Sequence, residues 1–162
     1  MATDTPRRCI VVGYDGSAAS RAALSLAVAR ARPDGRVAVV HAFDQPTGRY
    51  DGVSYQKRLD AALGRAGVLL ANLHEEVPGM SSLETSTELL AGPAATAIAR
   101  VAEVERATEI MIGTRGFGRA RALLGSTAHD LIHRARCPVT VIPERALTSR
   151  PRALAAAADD AG

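Results

Sequence analysis

Residues 109–127 read Glu109-Ile110-Met111-Ile112-Gly113-Thr114-Arg115-Gly116-Phe117-Gly118-Arg119-Ala120-Arg121-Ala122-Leu123-Leu124-Gly125-Ser126-Thr127. Residues 109–112 predict a strand, and residues 126–135 a helix with Leu131 and Ile132 on its apolar face. The connection from Thr114 to Gly125 is twelve residues long, against ~2 to 6 for most strand-to-helix loops, and long loops tend to be functional. Gly113, Gly116, Gly118 and Gly125 let backbone N–H groups approach an anion without a Cβ in the way. Gly125-Ser126-Thr127 opens a helix whose free N–H groups and dipole favour negative charge, and both hydroxyls can donate. Arg115, Arg119 and Arg121 add positive charge, so the segment suits a phosphate. A glycine-rich turn with solvated arginines is the plain alternative.

The same strand, loop and helix alternation extends outward. Ile10-Val11-Val12 is an apolar run ended by Gly13, and Ser17 or Ser20 caps a helix whose Leu24, Val28 and Ala31 recur at i, i+4 and i+7 before Pro33. Residues 37–42 form a second β-rich run, followed by a polar stretch to about Gly52. Tyr55, Leu59, Ala62, Leu63, Ala66, Leu70 and Leu73 then hold helical spacing over five turns. Residues 83–89 alternate, as at a sheet edge, and Gly92-Pro93 opens a helix carrying Ile98, Val101 and Ala102. Residues 138–142 are the fifth strand. Strands alternating with helices indicate an α/β fold with a parallel sheet, because parallel neighbours cannot be joined by a hairpin. Ligands of such sheets bind outside the carboxyl ends of the strands. The loop after strand one, Gly13-Tyr14-Asp15-Gly16-Ser17, therefore joins the loop after strand four as a candidate site. Asp15 before Gly-Ser also suits an ordinary turn and helix cap.

The chain has 162 residues, 47% hydrophobic and 23% charged, which suits one folded domain and too much apolar material for a disordered one. The longest apolar runs are about one buried strand long, far short of the ~20 residues of a membrane-spanning helix. Residues 1–8 lack the apolar stretch of a secretory signal, so a cytoplasmic protein is expected. Cys9 and Cys137 are read as buried free thiols. Lys+Arg exceeds Asp+Glu by only 20 against 17, Lys57 is the sole lysine, and no basic run alternates with the five aromatic residues. No nucleic-acid or membrane partner is expected. The expected layout is a tail at residues 1–8, a domain at residues 9–144, and an Ala- and Arg-rich, disordered tail at residues 145–162.

Val-Val-Gly-Tyr-Asp-Gly-Ser at residues 11–17, His41-Ala42, and the run from Met111 to Ser126 followed by Ala-Arg-Cys-Pro-Val-Thr-Val-Ile-Pro at residues 135–143 resemble the universal stress protein family. The resemblance covers nearly all of residues 9–143. It implies an open five-stranded parallel sheet in order 3-2-1-4-5 with helices on both faces, of the adenine nucleotide alpha hydrolase-like type. It also implies a homodimer built through strand five and, in the branch this chain is similar to, a bound ATP. That branch's phosphate loop reads G-x2-G-x9-G-[S/T]. Gly113-x2-Gly116 fits and Gly125-Ser126 supplies the last pair, but only eight residues separate Gly116 from Gly125, one short of the pattern. By position, the resemblance places Asp15 and the backbone of Ala42 at the adenosine, and Gly113, Gly116, Gly125, Ser126 and Thr127 at the phosphates. Mg²⁺ would arrive with the triphosphate.

The function expected is a nucleotide-binding regulator of the stress response. The alternatives are a slow ATP hydrolase and a dimeric interaction protein that binds no nucleotide. No G-x-x-x-x-G-K-[ST] loop is present and Lys57 lies far from the glycines, which weakens the hydrolase reading. His129 and His133 have the i, i+4 spacing of a zinc pair, but Asp130 is shorter than the glutamate of H-E-x-x-H and no third ligand is evident. No metal site is expected there. His41 and His74 are read as structural or solvated. The apolar fifth strand, Val139-Thr140-Val141-Ile142, would leave unpaired backbone at a sheet edge that a second copy could satisfy.

Overall fold

A computed structural model describes residues 7–46, 48, 51–114 and 125–143. Its elements are β1 (Cys9–Gly13), α1 (Ala18–Ala31), β2 (Arg36–Phe43), α2 (Gly52–Ala71), α3 (Leu73–Glu76), a 3-10 turn (Met80–Ser82), β3 (Glu84–Ala91), α4 (Ala94–Val104), β4 (Glu109–Gly113), α5 (Ser126–Arg134) and β5 (Val139–Ile142). All strand pairs are parallel, and the sheet order is β3-β2-β1-β4-β5. This is the order implied by the family resemblance. The expected phosphate-loop residues Gly116, Arg115, Arg119 and Arg121 and the expected C-terminal tail lie outside the described residues. Of the expected N-terminal tail, Arg7 and Arg8 are described. The Arg8 carbonyl accepts from the Arg36 N–H at 2.9 Å, which extends the β1–β2 pairing by one bond.

Alternation along the central strand creates two cores. Ile10 and Val12 of β1 pack with Leu24, Ala27 and Val28 of α1 and with Leu73. Val11 points to the other face, among Ile98, Val101 and Ala102 of α4 and Leu131 of α5. Helices thus cover both faces, and each Val, Leu or Ile side chain among these removed from water contributes roughly 1.5–3 kcal/mol. Ser17 is the residue that caps α1, its hydroxyl accepting from the Ser20 N–H at 3.2 Å.

Two expectations are corrected. The helical spacing through Leu73 spans a break: Asn72 has φ −95° and ψ 2°, so α2 stops at Ala71 and the buried Leu73 and exposed His74 belong to α3. Cys9 is buried and free as expected, but Cys137, also free, is only partly buried. Burial pushes both thiols above their ordinary pKa. The edge position expected for the third strand is confirmed, and β5 forms the opposite edge. Among the described residues, no helix is long and apolar enough to cross a membrane.

Candidate functional site

Hydrogen bonds past the strand ends tie β1 to β2 and β4 to β5. Past β1, the Tyr14 N–H donates to the Val40 carbonyl at 2.9 Å, continuing the ladder to β2. The Tyr14 carbonyl lies 2.8 Å from His41 Nδ1. A carbonyl can only accept, so Nδ1 is the donor in this bond. The half-buried Asp15 accepts the Ser17 N–H on Oδ1 at 2.9 Å, an Asx turn that leads into α1. Gly16 takes φ +80° inside that turn, a conformation that side chains other than glycine rarely adopt, and a Cβ there would lie 2.6 Å from Leu69 Cδ1.

Beyond β4, the Thr114 N–H donates to the Ile142 carbonyl at 2.8 Å and the Thr114 carbonyl accepts from the Gly125 N–H at 2.9 Å. The start of the long connection and the start of α5 are therefore joined. Gly125 is the N-cap of α5 and supplies no side-chain cap; the His129 N–H donates to its carbonyl at 3.0 Å. Ser126 is exposed and Thr127 half-buried on the first turn, where unpaired N–H groups and the helix dipole concentrate positive potential.

Gly113 has a reason to be glycine that the sequence did not disclose. A Cβ on it would lie 2.7 Å from Ala19 Cβ and 2.9 Å from the Ser20 nitrogen. The end of β4 is packed directly against the first turn of α1, whatever ligand binds nearby. Ser20 itself connects the two loops, since its Oγ also lies 3.4 Å from the Asp15 N–H. Ala42 is half-buried near the end of β2 and packs against the α4 and α5 core. The structure thus gathers Asp15, Ala42, Gly113, Gly125, Ser126 and Thr127 at the carboxyl ends of the strands or at the helix start that follows them. His41 and Ser20 share this neighbourhood, a placement the sequence did not disclose, and the bond of His41 to the Tyr14 carbonyl is the structural role expected of it. A lone histidine at a strand end carries no spacing signal, although His41 directly precedes Ala42 in the quoted pair.

His129 and His133 are both exposed, and their rings meet edge to face with centroids 5.0 Å apart. Among the described residues, no three His, Cys, Asp or Glu side chains come together as a metal cluster would require.

This fold, with its loops and the start of α5 at the carboxyl ends of the strands, defines an α/β protein of the open, doubly wound kind. The profile of the universal stress protein family matches residues 6–143, and the chain belongs to that family. A relative from Thermus aquaticus, the universal stress protein in the QAH/OAS sulfhydrylase 3′ region, is 33% identical over 138 residues, covering 83% of this chain and 98% of that protein. Among solved structures, the universal stress protein UspA from Lactobacillus plantarum is 25% identical with a TM-score of 0.73, covering 84% of this chain and 97% of the other. The universal stress protein from Archaeoglobus fulgidus in complex with dAMP is 27% identical with a TM-score of 0.55, covering 83% of this chain and 97% of the other.

Proposed function

We propose that this protein binds an adenine nucleotide, ATP with Mg²⁺, at the carboxyl ends of β1 and β4, and acts as a cytoplasmic regulator in the stress response. The observation that carries the reading is the dAMP complex of the Archaeoglobus fulgidus relative. In this reading the Asp15 carboxylate accepts from ribose or adenine and the Ala42 backbone borders the adenine. Gly113, Gly116, Gly125, Ser126 and Thr127 hold the phosphates. The backbone at Gly125, φ −69° and ψ 157°, is one that any residue adopts, so conformation does not demand glycine there. In this reading glycine there leaves a phosphate room to reach the α5 N–H groups. A divalent ion would be held by phosphate oxygens and water rather than by a cluster of protein carboxylates. Titration of nucleotide-stripped protein with MgATP tests the reading, with Gly125→Val as the variant that blocks the approach.

The same reading includes a homodimer through β5. That strand is a sheet edge, and Val139, Thr140 and Val141 are only half-buried. A second copy would pair its free backbone and cover those side chains.

A further inference from the structure

We infer that the cleft between the carboxyl ends of α4 and α5 is a second binding site, for a small anion with at least two clustered negative charges of the phosphate-ester or pyrophosphate class. The cleft encloses about 370 Å³ and is lined by Arg100, Arg106, Arg134 and Arg136, with Glu103, Cys137 and a floor of alanines. Its volume falls within the range of small-molecule sites. It lies at the amino ends of β4 and β5, opposite the nucleotide site, because Arg106 and Cys137 precede those two strands. The inference therefore stands independently of the nucleotide reading.

Charge decides the class of ligand. The lining carries four arginines and one carboxylate, Glu103, which pairs with Arg136 at 2.8 Å, while Glu109, whose charge reaches Cys137, is paired with Arg30. Arg100, Arg106 and Arg134 form no ion pair among the described residues. The carbonyl ends of α4 and α5 each contribute about half a negative charge, which leaves a clear positive excess. A guanidinium presents a planar fork that matches two phosphate oxygens at once. Arg136 is held by Glu103, which leaves Arg100, Arg106 and Arg134 for a ligand.

The end of α4 carries a second mark. The Ala107 N–H donates to the Ala102 carbonyl at 2.8 Å and the Arg106 N–H to the Glu103 carbonyl at 3.2 Å. That pattern places Arg106 where glycine is the usual residue, and its φ is +49°. The strained position is held by a side chain that lines the cleft.

Cys137 provides a readout confined to this cleft. Full-length protein at low ionic strength is alkylated with iodoacetamide during titration with pyrophosphate, and the Cys137 peptide is followed by mass spectrometry. Sodium chloride at matched ionic strength is the control. Pyrophosphate is expected to slow Cys137 alkylation several-fold and saturably, with the apparent affinity at least tenfold weaker in Arg100→Gln/Arg134→Gln. Both arginines are exposed, and unchanged circular dichroism verifies the variant's fold. Alkylation that pyrophosphate does not slow up to millimolar concentration, or protection undiminished in the folded double variant, overturns the inference.

Discussion

The Gly125 N–H donates to the Thr114 carbonyl at 2.9 Å, so the residue that ends β4's reach and the residue that caps α5 are fixed to each other. Through Thr114 the bond is also tied to β5, whose Ile142 carbonyl accepts the Thr114 N–H. The α5 N-terminus is in this way held to the carboxyl ends of β4 and β5. An anion at that helix start would meet N–H groups already in place rather than groups that must be ordered on binding.

Gly113→Ala is expected to destabilise the fold by about 1–3 kcal/mol, because the new methyl meets the backbone of Ala19 and Ser20, which cannot swing away as a side-chain tip can. Urea unfolding measures the change. A variant as stable as the parent would show that α1 does not press on β4 as described.

Replacing Arg106 with glycine should raise stability by about 1 kcal/mol, since the left-handed C-terminal position of α4 is relieved of its Cβ penalty. The same substitution should weaken pyrophosphate protection of Cys137. A lower urea midpoint would contradict the assignment of backbone strain to this residue.

Asp51 caps α2, its Oδ1 accepting from the Ser54 N–H at 2.6 Å, and this backbone bond holds the carboxyl below its ordinary pKa. A carboxyl whose folded pKa is depressed stabilises the fold above its unfolded value of about 3.9, and the contribution fades as pH falls through the lower folded value. Asp51→Asn retains a capping oxygen without the titration. Below about pH 4 the parent should therefore lose more stability than the variant. Parallel pH profiles would exclude a charged cap.

Light scattering across a dilution series addresses β5. A homodimer at micromolar concentration is the expected state, and a monomer there would remove the proposed role of the Val139–Ile142 edge.

Periodicity disclosed the elements well where one residue type repeats against a core: Leu24, Val28 and Ala31 mark the buried face of α1, and Ile10 to Val12 mark the central strand. The order of the strands was not in that pattern; it came with the family resemblance, since nothing local to β1 says that it pairs with both β2 and β4. Leu73 continued the spacing of α2 because it returns to the same core after the break at Asn72. Glycine was the least legible residue. Gly113 reads in sequence like any phosphate-loop glycine, whereas its contacts with Ala19 arise from residues far away in the chain. The arginine cleft was invisible for the same reason: its four guanidinium groups come from α4, α5 and the turns that follow them.

The central claim is nucleotide binding at the strand ends, and its most direct measurement is calorimetric titration of nucleotide-stripped protein with MgATP, in the parent and in Gly125→Val. Saturable binding by the parent at micromolar affinity, weakened at least tenfold in a variant that remains folded, is the predicted result. No heat of binding to the parent, or equal affinity in a folded variant, would contradict the claim and shift the function to the protein's surfaces.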